Sequence, residues 1–307
     1  MTKVLVVTGP TATGKTALGV RLAKALGGEV VSADSMQVYK YMDVGTAKPT
    51  EEEMQGVPHH MIGVAEPTER YSVSEYVPAA TKCVEDIASR GRVPIIVGGT
   101  GLYVESLILG RDFADEGSDS AERERLYAQY DALGGEKMLS LLAQYDPERA
   151  AKLHPNDKKR VVRALEVALA GSTITAHDEE TRTRPPKYDA RIVVLNWLDR
   201  AKLYERINLR VDEMMERGLP EEVRRLMDMG FEKSTALQAI GYKELCEALR
   251  GECSVEDAVG RIKLGSRRYA KRQISWNTRY SEALRINWEN FPNIDDALHA
   301  STDFFQK

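Results

Sequence analysis

The sequence predicts an α/β protein: a parallel sheet wound with helices, interrupted by one helical insertion and followed by a helical C-terminal region. Three observations carry this. Four runs rich in Val, Ile and Leu have strand length and composition: "KVLVVT" (3–8), "EVVSA" (29–33), "VPIIVGG" (93–99) and "ARIVVLNWL" (190–198). The first three alternate with helix-like or mixed stretches, the signature of a wound parallel sheet. From Asp115 to Pro186 the chain turns helix-like throughout, with breaks at Gly134-Gly135, Pro147 and Pro155, before "TRTRPPK" (181–187) leads back to a strand. The expected division is residues 1–114 as the first part of the core, 115–186 as the insertion, and 187–307 as the return to the core plus C-terminal helices.

The first strand runs into Gly9-Pro10-Thr11-Ala12-Thr13-Gly14-Lys15-Thr16, which fits GxxxxGK[ST] between a strand and a helix. Backbone amides and a helix N-terminus offer donors and positive potential to phosphate oxygens. Lys15 adds a full charge, and the Thr16 hydroxyl suits Mg²⁺ bridging two phosphate groups. The core is therefore expected to be P-loop NTPase-like. The motif leaves three reactions open: nucleotide hydrolysis, phosphoryl transfer, or departure of a diphosphate. A kinase or NTPase usually needs a second carboxylate at the end of a later strand. Here "PIIVGGTG" ends in Gly-Gly-Thr, and Asp199 in "NWLDR" serves equally well as a helix cap.

Ligands of open α/β sheets gather at the carboxyl ends of the strands. "ADSMQVY" (33–39) follows the second strand and "GGTGLY" (98–103) a later one. If these strands are neighbours, Asp34, Ser35, Gln37 and Thr100 converge on the phosphate loop. Asp34 has two readings, a turn cap and a general base. A carboxylate beside bound diphosphate is costly by repulsion, so placement favours the base. Thr100 orients a substrate or caps a helix. Gly98, Gly99 and Gly101 are expected to let the backbone approach a ligand. Between these motifs, "SVSE" (72–75) predicts a capping box and a helix to about Arg90, with Pro78 inside it. Beyond Asp199 the chain reads as helical, ending in a long segment from about Ser254 to Glu282.

The 307 residues, 42% hydrophobic and 29% charged, are ordinary for a globular core. The longest apolar runs fall far short of a membrane span. The first strand begins at residue 3, so no cleavable signal is expected. Cys83, Cys246 and Cys253 lack CxxC spacing, which predicts neither disulfides nor zinc and suits a cytoplasmic location. His59-His60 has no third ligand nearby, so a structural role is expected, and Trp197, Trp276 and Trp288 read as packing residues. A net charge of −4 excludes a uniformly basic nucleic-acid binder, but two stretches are locally basic. "KKRVVR" (158–163) is one. Residues 261–279 are the other, with seven Lys or Arg and no acid. Arg261, Arg268, Arg272 and Arg279 share a helix face there. A solvated charged face normally carries acids at i±4, so this one is expected to grip a phosphate backbone.

"GPTATGKT", "DSMQVY", "VGTAKP", "PHHMI", "VGGTGLY", "RALEV", "LYERINLRVDEM", "AIGYKEL" and "RRYAKRQISW" stand in the order seen in bacterial tRNA dimethylallyltransferases. The chain resembles that family from residue 4 to about residue 280. The resemblance implies transfer of a dimethylallyl group from dimethylallyl diphosphate to N6 of the adenosine next to the anticodon, with Mg²⁺ as cofactor. The implied partners are the donor and the anticodon stem-loop of tRNA, with no membrane and no stable protein partner. By resemblance, the loop from Thr11 to Thr16 holds the diphosphate, with Thr16 on Mg²⁺. Asp34 takes the N6 proton, and Thr100 aligns donor and base. Asp34, Ser35, Met36 and Gln37 form the base-binding stretch. Arg123, Lys159, Arg160, Val161, Val162 and Arg163 match tRNA-touching positions, as do Gly241, Tyr242, Lys243, Lys271, Arg272 and Gln273. Two departures stand out: Tyr41, where a small residue is common, and Asn277, where an aromatic is usual. The Cys/His finger of many eukaryotic relatives is absent. The alternative reading is a P-loop kinase using ATP on a small metabolite or nucleotide.

Overall fold

In the computed structural model, residues 1–111, 120–176, 179 and 185–307 are described. The predicted start of the insertion at Asp115 and the "TRTR" of the return segment lie outside them. The chain divides into two compact units, residues 1–110 with 187–307, and residues 111–186.

In chain order the elements are β1 (Lys3–Thr8), α1 (Lys15–Leu26), β2 (Glu29–Ser32), α2 (Glu51–Met54), β3 (His59–His60), α3 (Val73–Ser89), β4 (Pro94–Val97) and α4 (Gly101–Leu109). The second unit carries α5 (Ser120–Leu133), α6 (Gly135–Leu142), α7 (Pro147–Lys152) and α8 (Lys158–Leu169). The first unit resumes with β5 (Asp189–Asn196), α9 (Arg200–Glu216), α10 (Leu219–Asp228), α11 (Tyr242–Leu249), α12 (Val255–Asn277), β6 (Leu284–Asn287) and α13 (Ile294–Gln306).

The six strands form one parallel sheet in the order β3-β2-β4-β1-β5-β6. Strands buried on both faces read as unbroken apolar runs, which is why β1, β2, β4 and β5 are visible in the sequence. β3 has two residues and β6 four, too short for such a run. Leu5, Val7, Ile95 and Val193 meet Leu18 and Leu22 of α1 and Phe305 of α13 in a core that includes β6 through Ile286. The predicted α3 is present with its capping box, the Glu75 carboxylate accepting from the Ser72 amide at 2.6 Å. Pro78 removes one backbone bond, but the buried stripe of Tyr76, Val77, Ala80, Val84 and Ile87 holds the helix through it. No described helix is long and apolar enough to cross a membrane.

The second unit has its own core, with Leu126, Met138, Leu142, Val161, Val162 and Leu165 buried together. Inside it, the buried Glu166 accepts from Arg123 (3.0 Å) and Arg163 (2.9 Å).

At the head of β2, buried Glu29 is paired with His60 (2.8 Å), Arg90 and Arg92. The histidine pair is thus structural, His59 bonding the Val57 carbonyl through Nδ1 at 2.8 Å. Hydrogen bonds from Arg90 are the main reason the Glu29 carboxyl lies at about 2 rather than its ordinary 4.5; burial opposes them and His60 adds to them. A folded-state value below the unfolded one stabilises the fold above about pH 4.5, and that contribution is lost as the pH falls toward 2. Glu29→Gln is expected to lower stability at pH 7 by roughly 2 kcal/mol, allowing for the half-exposed Arg90. It should also flatten the loss of stability between pH 4.5 and 2. Urea midpoints across that range check this; a variant tracking the wild-type slope contradicts it.

Candidate active site

The sheet order places the three motif-bearing strand ends side by side, because β4 lies between β1 and β2. The phosphate loop leaves β1, Asp34 follows β2, and Thr100 follows β4. Thr100 is the N-cap of α4, yet its side chain does not cap the helix. Its Oγ1 accepts the Ser35 amide at 3.0 Å and so ties two strand ends together.

Asp34 performs the turn-capping role with one oxygen. Its Oδ1 accepts the amides of Met36 (2.9 Å) and Gln37 (3.4 Å). Among the described residues no hydrogen bond reaches Oδ2, and Asp34 lines the cavity that opens over the loop. The turn fixes the carboxylate and leaves one oxygen for a ligand, so the two readings of Asp34 are compatible.

That cavity measures about 840 Å³ and is lined by Thr11, Ala12, Thr13, Gly14, Lys15 and Thr16, and by the Asp34, Ser35, Met36 and Gln37 stretch. Ile207, Val211, Met214 and Ile240 give it an apolar wall. Its charged lining comprises Lys15, Arg21, Arg206, Arg210, Arg217 and Arg272, with the carboxylates of Asp34, Glu53 and Glu213. Lys15 donates to the Pro10 carbonyl at 2.8 Å, and burial, then the charge of Arg210, lower it to about 7, with Asp34 opposing. Arg210, on α9, is lowered as well, by burial, and raised by Asp34. With six basic side chains against three carboxylates, the lining is net positive and favours a multiply charged anion. Tyr269 of α12 also lines the cavity. Burial raises its phenol to about 12, with Thr100 and Gln273 opposing.

The loop is braced from outside by later parts of the chain. Gln273 accepts from the Thr11 amide and donates to the Gly99 carbonyl, both at 2.9 Å. Arg206 donates to the Ala12 carbonyl (3.2 Å) and Trp288 to the Thr13 carbonyl (3.0 Å). Thr13 is buried, its hydroxyl turned back to the Pro10 carbonyl at 2.8 Å. Asp199 caps α9 by accepting the Ala201 amide at 2.8 Å.

Several expectations need correction. Gln273, 7% exposed, braces the loop and also lines the cavity. Tyr242 is fully buried, and Val161 and Val162 lie in the core of the second unit, because apolar side chains on amphipathic helices face inward. Gly241 is buried as well. Arg123 and Arg163 are engaged by Glu166, whereas Lys159, Arg160, Lys243, Lys271 and Arg272 are exposed. Part of the basic stretch at 261–279 has acidic partners from other helices: Glu247 for Arg261, Asp212 for Lys263 (2.6 Å) and Glu105 for Arg279 (3.2 Å). Side chains added at Gly98, Gly99 and Gly101 would strike Ala33, Gln273 and Trp276, so these glycines admit close packing by the chain itself, and Gly98 also lines the cavity. Sequence reasoning missed Arg210, Arg206 and Glu222. "LYERINLRVDEM" contains the first two, but helical periodicity does not tell a cation facing a cavity from one facing water.

Fold and site together define a P-loop-like α/β protein whose loop lies beside an acid at a neighbouring strand end. The family model for IPP transferase matches residues 37–280, and that for isopentenyl transferase residues 2–63. The tRNA dimethylallyltransferase of Caldanaerobacter subterraneus subsp. tengcongensis is 50% identical over 281 residues, covering 91% of this chain and 89% of the relative. The tRNA isopentenylpyrophosphate transferase of Bacillus halodurans has a similar solved structure, with TM-score 0.73 and 38% identity, over 100% of this chain and 97% of the other. A eukaryotic dimethylallyltransferase captured acting on tRNA gives TM-score 0.83 at 29% identity, over 100% and 80% of the two chains. The chain belongs to the IPP transferase family, among the tRNA dimethylallyltransferases.

Proposed function

We infer that the chain transfers a dimethylallyl group from dimethylallyl diphosphate to N6 of the adenosine adjacent to the anticodon of tRNA. The observation that carries this reading is the convergence of the phosphate loop, Asp34 and Thr100 at adjacent strand ends, with a partly apolar cavity above them. The diphosphate lies on the loop amides, Lys15 and Arg210, and the five-carbon group lies along the apolar wall. The adenine N6 attacks the allylic carbon. A C–N bond forms, the C–O bond to the diphosphate breaks, and the leaving group departs with the electron pair. The N6 proton passes to Asp34 Oδ2. The N6 lone pair is delocalised into the ring, so proton removal during attack raises its reactivity. Charge grows on the leaving oxygen in the transition state, where preorganised cations and amides act most strongly. The target base reaches the cavity only when unstacked, as for other base-modifying enzymes.

The Thr16 hydroxyl fits Mg²⁺: it is a hard oxygen donor lining the cavity, and this metal is usually held by few protein groups plus phosphates. Bound there, it would neutralise charge on the diphosphate.

The experiment is incubation with radiolabelled dimethylallyl diphosphate, Mg²⁺ and unmodified tRNA, followed by digestion to nucleosides. Label is expected in N6-isopentenyladenosine and to depend on tRNA. ATP consumption without tRNA would favour the kinase instead.

A further inference from the structure

The loop at 41–49 forms one wall of the cavity through Gly45, Thr46, Ala47 and Pro49. Its backbone is strained: Tyr41 and Ala47 both have positive φ, 65° and 46°. Such conformations persist only where the surroundings over-determine them. Local bonds contribute, Thr46 Oγ1 donating to the Met42 carbonyl (2.6 Å) and Lys48 Nζ to the Tyr39 carbonyl (2.9 Å), but one side chain from a distant helix takes three successive amides of the loop. Glu222 of α10, 4% exposed, accepts the amides of Asp43 (2.9 Å), Val44 (2.8 Å) and Gly45 (3.1 Å). A fourth donor, the buried Tyr242 hydroxyl, reaches it at 2.7 Å. Gly45 has no room for a side chain, since a Cβ would come within 2.6 Å of the Tyr242 ring.

From its other side the same loop orients Gln37. The carbonyls of Thr46 (3.3 Å) and Ala47 (3.2 Å) accept from Gln37 Nε2, and Ser32 Oγ donates to its Oε1 at 3.1 Å. Gln37 follows directly on the turn that Asp34 caps, and its amide lines the cavity. Glu222 does not line the cavity. We propose that Glu222 is a positioning residue for the acceptor base: its carboxylate fixes the loop, and the loop fixes the Gln37 amide against which the adenine is held. The proposal rests on the transferase reading above. The chemistry requires an acceptor-only group, because a carboxamide in its place turns an N–H toward backbone N–H groups and strands at least one of them.

The test is steady-state kinetics of the full chain with an anticodon stem-loop RNA and dimethylallyl diphosphate. Glu222→Gln is expected to raise KM for the RNA roughly tenfold while donor KM stays within about twofold. Tyr242→Phe should shift RNA KM in the same direction, by about two- to threefold. Because Glu222 acts through Gln37, combining Glu222→Gln with Gln37→Ala should add less than about twofold to the worse single variant. Should Glu222→Gln fail to fold, the cycle of Tyr242→Phe with Gln37→Ala carries the same requirement. Multiplicative effects in the cycle, a shift in donor KM, or a fall in kcat alone from loss of active protein each overturns the assignment. No transfer to RNA by the wild-type chain overturns the transferase reading itself, and the proposal with it.

Discussion

Replacing Asp34 with alanine is expected to lower kcat by about 10²–10⁴, the usual contribution of a positioned general base. RNA affinity is expected to change little, because backbone phosphate contacts usually dominate nucleic-acid affinity. Two effects have to be separated. The alanine removes Oδ2, which faces the cavity, and also Oδ1, which caps the turn at Met36 and Gln37. Asp34→Asn keeps an oxygen for the turn and loses the base. If proton transfer is the major role, both variants fall together in kcat. If the cap dominates, the asparagine variant retains most of the activity and the alanine variant alone is impaired. Single-turnover rates at saturating donor and RNA, with RNA binding measured separately, distinguish the two. Full activity in Asp34→Asn would remove the carboxylate from the chemistry.

Lys15→Ala is expected to reduce kcat/KM for the donor by about 10²–10³, on the scale of removing one preorganised donor from a site of developing negative charge. The pH dependence gives an independent check. Burial and Arg210 hold Lys15 at about 7 in the free protein. A depressed lysine is charged below that pH and neutral above it, and the anionic donor favours the charged form. The wild-type kcat/KM for the donor should therefore decline as pH rises through about 7, and Lys15→Ala should lack that limb. Arg210→Ala should move the limb upward, because the repulsion that lowers Lys15 is removed. An alkaline limb unchanged in both variants would assign it to another group.

The parts of this molecule legible in its sequence are those set by local chemistry. Strands buried on both faces announce themselves as apolar runs, and a glycine-rich turn before a Lys-Thr pair announces a phosphate loop. That Asp34 and Thr100 lie beside this loop follows once β4 is placed between β1 and β2, and strand order is a non-local property. The roles of Gln273 and Glu222 were illegible for the same reason. Each is an unremarkable polar residue on an amphipathic helix until its partner, 262 residues away for Gln273 and 177–179 for Glu222, is known. The basic stretch at 261–279 was legible only in part. It carries no acids of its own, yet acids from α4, α9 and α11 pair three of its seven basic residues in space.

The bracing of the phosphate loop bears on how the protein is made. Thr11 and Thr13 leave the ribosome well before their partners Gln273 and Trp288, which follow 262 and 275 positions later. At ordinary translation speeds that interval is roughly 15–50 s. Through that interval a nascent chain carries the loop without its outer supports, and the braced geometry forms only once α12 and the segment after β6 have been made.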